Sequence, residues 1–309
     1  MLHISPVQAD PYPSRTIRII VPSAPNGAGD TIARELGERL SAALRVPVVV
    51  ENRPGASGII GNDYAAHASP DGYTLLFATL ATHVIAAQLI GNLPYDPQRD
   101  FSPVINAGYT TSVIVVNSKL PVQTLAEFIA YARARPGKLN YASSGIGSAN
   151  HIDTEALLTL TGLRLVHVPY RGTADGYRAL LADEVQVMVG AITSALPHVQ
   201  SGRLRALAVL TDRRSPLLPD VPTLAQSGLG SVDVRGWMGV LAPAATPPET
   251  IAQLNATLDA ILHEPSMRAW MERQGFELAG GSPQAYGHVL HADFVRWAQT
   301  ARRVGLRPE

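Results

Sequence analysis

Residues 16–53, TIRIIVPSAPNGAGDTIARELGERLSAALRVPVVVENR, restrict the fold more than any other part of the chain. Ile17–Val21 is an almost unbroken β-branched run, as expected of a strand covered on both faces. A loop of small residues with Pro and Gly follows. Ile32, Leu36, Leu40 and Leu44 then recur every four residues along one helical face, with Asp30 expected as the N-cap. Glu35 and Arg39 form an (i, i+4) pair on the opposite face. Residues 46–51 read as a second strand. Strand, helix and strand in this order make a right-handed βαβ crossover and therefore a parallel sheet. The loop at 23–29 then sits at the carboxyl end of a strand with a helix N-terminus aimed into it. Backbone N–H groups and the helix dipole attract anions there without any charged side chain.

The rest of the chain repeats this alternation. A helix is expected over 59–68, a turn at Ser69-Pro70-Asp71-Gly72, and a strand over 73–79 running through Leu80-Ala81-Thr82-His83 into a helix at 84–90. The apolar run 104–116 reads as a long strand crossing between domains. A second series places helices at 125–135 and 174–182, and strands at 139–143, 164–170, 185–189 and 204–210. Its Gly/Ser-rich loop, 144–151, opens a helix through residue 160. Residues 232–241 read as a strand returning to the first domain. Proline-started helices follow at 247–263, 265 and 283. The pattern is α/β with two domains, which suits 309 residues. Ligands of open α/β sheets bind outside the carboxyl ends of the strands, so two such domains joined by two crossing strands would face their loops across a cleft.

Composition narrows the function classes. Net charge is zero, Lys119 and Lys138 are the only lysines, and the arginines are scattered, which leaves no footprint for nucleic acid. Cysteine is absent, which removes disulfides, thiolate nucleophiles and cysteine-held zinc. No apolar run approaches the roughly 18–20 residues that span a bilayer, so a soluble mature protein is expected. Val7-Gln8-Ala9 before Asp10-Pro11 looks like the end of a secretory signal; an ordinary disordered tail fits equally.

Several catalytic readings fail on spacing. Gly27-Ala28-Gly29, with Glu51 about 20 residues on, invites dinucleotide binding, but the third glycine position falls on Ile32. No Gly-Lys-Ser/Thr follows a glycine loop, and Gly145-Ile146-Gly147-Ser148 does not match a nucleophile elbow. Ser148 with His151 lies in the first turn of a helix, where capping and hydrogen bonding to a ligand are the simpler roles. The histidines lack metal-ligand spacing. Arg171 reads either as a cation for an acidic ligand or as a solvated surface residue. Trp237-Met238 reads as core.

Taken together, YPSRTIRIIVPSAPNGAGD, VVVENRPGASG, SPDGYTLL, LPYDPQRDF, LNYASSGIGSANH, HVPYRG, SALPHVQSGRLRALAV and LPDVPTLAQSG resemble the extracytoplasmic solute-binding receptors of the tripartite tricarboxylate transporter family, often called Bug proteins. The likeness runs in order from Tyr12 to about Gly305. It implies a two-lobed type II periplasmic-binding-protein fold, each lobe a mostly parallel sheet flanked by helices, with two crossing strands as a hinge. The expected division is a tail at 1–9, one lobe at 10–107 and 235–309, and the other at 108–234.

The resemblance also implies a periplasmic, non-enzymatic and monomeric receptor with no cofactor or metal. It would capture a small organic carboxylate and deliver it to membrane permease subunits. Carried over by position, the first lobe's ligand residues are Ser23, Ala24, Asn26, Gly27, Ala28, Gly29 and Asp30, with Thr79, Ala81, Thr82 and His83. In the second lobe they are Ser143, Ser144, Gly147, Ser148, Ala149 and Asn150, then Arg171, Gly172 and Thr173, then Gly190, Ala191 and Thr193. Ser23 stands where relatives usually carry Phe, and Asn26 where they often carry Gly. Gly190-Ala191 replaces an acidic or amide residue that could meet a ligand amine, so a dicarboxylate or aromatic acid is expected over an amino acid. Two alternatives remain at this point: an NAD-dependent enzyme on the opening βαβ unit, and a carboxylate sensor signalling through a protein partner.

Overall fold

The computed structural model describes residues 12–303 except 26, 147, 212 and 230–235. The 7–11 motif, Asn26, Gly147 and most of the front half of the expected returning strand lie outside the described residues. The chain forms two compact units: Met1–Ala107, Met238–Glu264 and Ala279–Glu309 make the first, and Gly108–Trp237 with Pro265–Leu278 the second.

The first unit begins with β1 (Ile17–Val21), α1 (Ala28–Leu44), β2 (Val48–Asn52), a 3-10 turn at Ala56–Gly58 and α2 (Ile59–Ala66). β3 (Thr74–Thr79), a π-helical turn at Leu80–Ile85 and α3 (Ala86–Leu89) follow. β4 (Phe101–Thr110) runs past the boundary into the second unit. There the chain makes β5 (Ser112–Asn117), α4 (Leu125–Arg133), β6 (Asn140–Ser143), α5 (Ala149–Thr161) and β7 (Val166–Pro169). α6 (Thr173–Leu181), β8 (Val187–Ala191), α7 (Ile192–Gln200) and β9 (Leu204–Val209) complete that series. β10 (Trp237–Pro243) and α8 (Pro248–His263) return to the first unit, α9 (Pro265–Arg273) and β11 (Phe276–Leu278) belong to the second, and α10 (Pro283–Arg303) to the first.

Both sheets grow from the same parallel trio. β1 pairs in parallel with β2 and β3, setting Ile19 opposite Val50 and Leu75. β6 pairs in the same way with β7 and β8. Each trio is extended by an antiparallel strand, β10 on β3 and β5 on β8, giving orders β11-β4-β10-β3-β1-β2 and β7-β6-β8-β5-β9. Strand alternation builds two core layers in the second unit. Ile114, Val116, Tyr141, Val187 and Val189 join one apolar cluster, while Val113, Val115, Ala142 and Met188 join the other. In α1, Ile32, Leu36 and Leu40 are fully buried, each contributing about 1.5–3 kcal/mol. Arg39 pairs with Glu35, as its spacing implies, and also with Glu264 at 2.7 Å, tying α1 to the end of α8.

Three features depart from the sequence expectations. The run 104–116 is two strands in different sheets, broken at Thr111, whose N–H and hydroxyl both donate to the Gly275 carbonyl. The helix α7 and the short strand β11 had no clear pattern, since α7 carries Pro197 inside it and β11 has three residues. Pro265–Leu278 clusters with the second unit. No helix among the described residues is long and apolar enough to cross a membrane.

Candidate functional site

In the first unit, the loop after β1 and the turn after β3 meet at the carboxyl end of the trio. α1 starts at Gly27, in extended conformation, and no side chain caps it. Asp30, expected as the cap, sits within the first turn and is 2% exposed. The helix begins earlier because Ala28 and Gly29 adopt helical geometry, and a carboxylate in the first turn still complements the dipole. Asp30 accepts hydrogen bonds from Asn52 Nδ2 (2.9 Å) and Arg34 Nε (3.0 Å). Asn52 Nδ2 also donates to the Ser23 carbonyl at 3.1 Å. Asp30 therefore anchors the loop through Asn52. Ala24 and Ala28 are exposed, Ser23 half-buried and Gly29 buried.

The turn after β3 closes on itself. Thr79 Oγ1 accepts from Thr82 N (3.1 Å), and Thr79 N donates to Thr82 Oγ1 (3.2 Å). Gly58, at φ +102°, lets the 3-10 turn close against both segments: a Cβ there would stand 2.8 Å from Thr82 Cβ and 3.2 Å from the Pro22 carbonyl oxygen. Ala81 is half-buried beside Thr82. His83 points the other way. It is buried edge-on against Phe101 and Phe294, with ring centroids 5.0 and 5.9 Å away. Burial pushes its pKa down to about 4 against the opposing effect of a bond to the Pro97 backbone, so His83 supports the turn from beneath as a neutral ring.

In the second unit, the loop after β6 is held by neutral groups. Ser143 Oγ contacts His167 Nε2 at 2.6 Å and accepts from Gly145 N at 3.1 Å. Ser144 Oγ donates to Asn150 Oδ1 (2.8 Å), and Asn150 Nδ2 donates to the Val189 carbonyl (2.8 Å), linking the loop to β8. Ser148 caps α5, accepting from His151 N and donating to the Gly145 carbonyl; capping, not nucleophilic attack, is its geometry. His151 stacks on His167 at 4.1 Å, and His167 on Tyr141 at 4.8 Å. Burial, then the neighbouring His151, holds the His167 pKa down at about 4. Burial also lowers that of His151, against the attraction of Glu155.

The remaining loops of that unit start helices without side-chain caps: α6 at Gly172 and α7 at Ala191. Ala149, Arg171 and Thr193 are exposed, Thr173 and Ala191 half-buried and Gly190 buried. A Cβ on Gly275 would meet the Thr193 methyl at 2.6 Å, so Thr193 lies over the Thr111–Gly275 junction. Sequence reasoning passed over Asn52, because an asparagine at a strand end reads as ordinary turn chemistry. It also passed over Tyr177, which lies inside the helix expected over 174–182 with no motif to single it out. A glycine inside a buried strand, Gly190, was the available cue to a close approach there. The chemistry these described loops offer is peptide N–H, hydroxyl and amide. Among the described residues no group of three His, Cys, Asp or Glu side chains could hold a metal ion.

Two parallel-trio sheets with strand-end loops opening onto helix N-termini define a two-lobed periplasmic-binding-protein fold. The chain belongs to the tripartite tricarboxylate transporter family of receptors, whose model matches residues 32–306. It is 35% identical to protein BugT of Bordetella pertussis over 304 residues, 98% of this chain and 93% of that one. R. palustris Rpa4515 with adipate aligns with a TM-score of 0.80 and 35% identity, covering 96% of this chain and 100% of that chain. MatC from Rhodopseudomonas palustris with bound malate aligns at 0.75 and 31% identity, covering 94% and 99%.

Proposed function

We propose that the protein is a periplasmic, monomeric, non-catalytic receptor that captures a small dicarboxylate or aromatic carboxylate and hands it to the permease subunits of a tripartite tricarboxylate transporter. The observation that carries the reading is the set of uncapped helix starts after β1, β7 and β8, at Gly27, Gly172 and Ala191. First-turn N–H groups lack intrahelical partners, so an uncapped start keeps donors for an anion; at α7 the Ile192 N–H is already given to the Thr111 carbonyl, which leaves the following first-turn groups. Within the first unit Ser23 follows β1 and Thr79 ends β3, and within the second Ser144 and Asn150 follow β6, while Asp30 and His83 act as supports. Adipate and malate in the two related receptors are both dicarboxylates. A helix N-terminus contributes roughly 0.3–1 kcal/mol, up to about 2 when partly buried, and charge-assisted hydrogen bonds add more. Several together reach micromolar affinity, about −8 kcal/mol.

Titration calorimetry with succinate, malate, adipate and nicotinate against L-aspartate, L-glutamate and NAD tests this. At least one of the first four binds in the micromolar range and raises the melting temperature. Tighter binding of aspartate or glutamate overturns the preference against amines, and a response to NAD alone overturns the receptor reading. Co-purification of the tagged, ligand-loaded protein with its permease subunits separates transport from signalling through another partner.

A further inference from the structure

Tyr177 stands on α6 with 4% of its surface exposed, and among the described residues its hydroxyl has no hydrogen-bond partner. Buried hydroxyls are almost always partnered. The hydroxyl is aimed at Gly190 on β8: a Cβ built on that glycine would stand 2.5 Å from Tyr177 Oη and 3.3 Å from Asn150 Nδ2. Gly190 is inside a strand, not at a turn, so its missing side chain supplies space and not backbone freedom. An unpaired donor and a strand glycine thus meet at one point, at the carboxyl end of β8, flanked by the Asn150 amide and by the uncapped start of α7.

We propose that the Tyr177 hydroxyl is a specificity-determining donor to the anionic ligand, admitted to that point by the bare Cα of Gly190. The inference rests on the carboxylate reading above and deepens it. Burial raises the phenol pKa, so the group stays protonated at neutral pH and donates. A neutral donor satisfies a carboxylate or hydroxyl oxygen and offers no negative partner to an ammonium group. Tyr177 and Gly190 together therefore favour dicarboxylates and hydroxy acids over acidic amino acids.

The test uses Tyr177→Phe, Gly190→Ala and the double variant, each titrated with malate, adipate and succinate, with L-aspartate as the amine-bearing control. Tyr177→Phe weakens the tightest dicarboxylate roughly tenfold and leaves the ligand-free melting temperature unchanged or higher, because an unpaired buried hydroxyl has gone. Gly190→Ala crowds the hydroxyl and lowers both affinity and melting temperature. In the double variant the new methyl faces the ring carbon at 3.4 Å and Asn150 Nδ2 at 3.3 Å, and with the 2.5 Å clash removed most of the lost melting temperature returns. Undiminished dicarboxylate affinity in Tyr177→Phe, or a lower ligand-free melting temperature, overturns the proposal. If the unaltered protein binds nicotinate but none of the three dicarboxylates, this proposal falls and the carboxylate reading stands; if it binds none of the four, the carboxylate reading itself falls, an outcome distinct from binding that Tyr177→Phe leaves intact.

Discussion

The loops after β1 and after β6 occupy equivalent places in two sheets of the same design, yet different chemistry holds them. The first is tied down through a buried carboxylate: Asp30 takes bonds from Asn52 and Arg34, and Asn52 reaches the Ser23 carbonyl. The second is tied down by Ser143, Ser144, Ser148 and Asn150, with two neutral imidazoles stacked behind it. An anchored charge gives a stiff loop whose electrostatics are occupied internally. A web of neutral hydroxyls and amides fixes geometry while leaving the local potential to backbone dipoles and the ligand. Asp30 removal should therefore cost the most. Asp30→Ala loses two charge-assisted bonds and lowers the unfolding free energy by roughly 3–4 kcal/mol in urea titration. A loss under about 1 kcal/mol would mean that Asn52 and Ser23 hold the loop alone.

Acid sharpens the contrast next. His83 and His167 both have pKa values near 4 in the folded protein, against 6.5 when unfolded. Between those values the unfolded chain binds more protons, so the stabilisation is fully present above pH 6.5 and is lost as pH falls toward 4. At about 1.4 kcal/mol per pH unit, His83 accounts for about 3 kcal/mol across that window. His167 accounts for less, because its half-exposed ring is screened by water. Melting temperature against pH checks this: His83→Phe flattens the acid limb more than His167→Phe. Equal flattening would place the protonation cost in the second unit's stack as much as in the first unit's core.

Much of the frame was legible before any coordinates. Ile17–Val21 reads residue for residue as β1, and the four-residue spacing of Ile32, Leu36 and Leu40 marks the face of α1 that is buried. These patterns are local, with periods of about 2 and 3.6. What stayed hidden depends on partners far apart in sequence. The Asn52–Asp30 bond spans 22 residues, and it turns an expected cap into a loop anchor. His83 looks like one more polar residue after a strand until Phe101 and Phe294 are seen around it. The 104–116 run has unbroken strand composition, and only Gly275, on a distant segment, explains its break at Thr111.

In the second unit the corresponding lesion is milder. Asn150→Ala strips the acceptor from Ser144 and the donor from Val189, leaving a buried carbonyl without that partner. The expected loss is about 2 kcal/mol, below that of Asp30→Ala, and the same urea titration ranks the two. A reversed ranking would show that the neutral web, and not the carboxylate, is the stiffer anchor.

The smallest effects bear most directly on the ligand. Ser148 caps α5, so Ser148→Ala costs about 1 kcal/mol of stability. The Gly27 position of α1 has no side-chain cap, and a Cβ there would meet only the Ala24 carbonyl oxygen at an ordinary 3.6 Å. Its φ of −79° suits any residue. Gly27→Ser therefore installs a cap that the fold accepts, gaining a few tenths of a kcal/mol. The new hydroxyl takes an N–H that an anion at this helix start would use. The same substitution should thus raise the melting temperature slightly while weakening malate or adipate binding several-fold in calorimetry. A stabilised variant that binds as tightly as the original would assign the ligand's carboxylate to the second unit's helix starts, and the first unit's loop would act through shape alone.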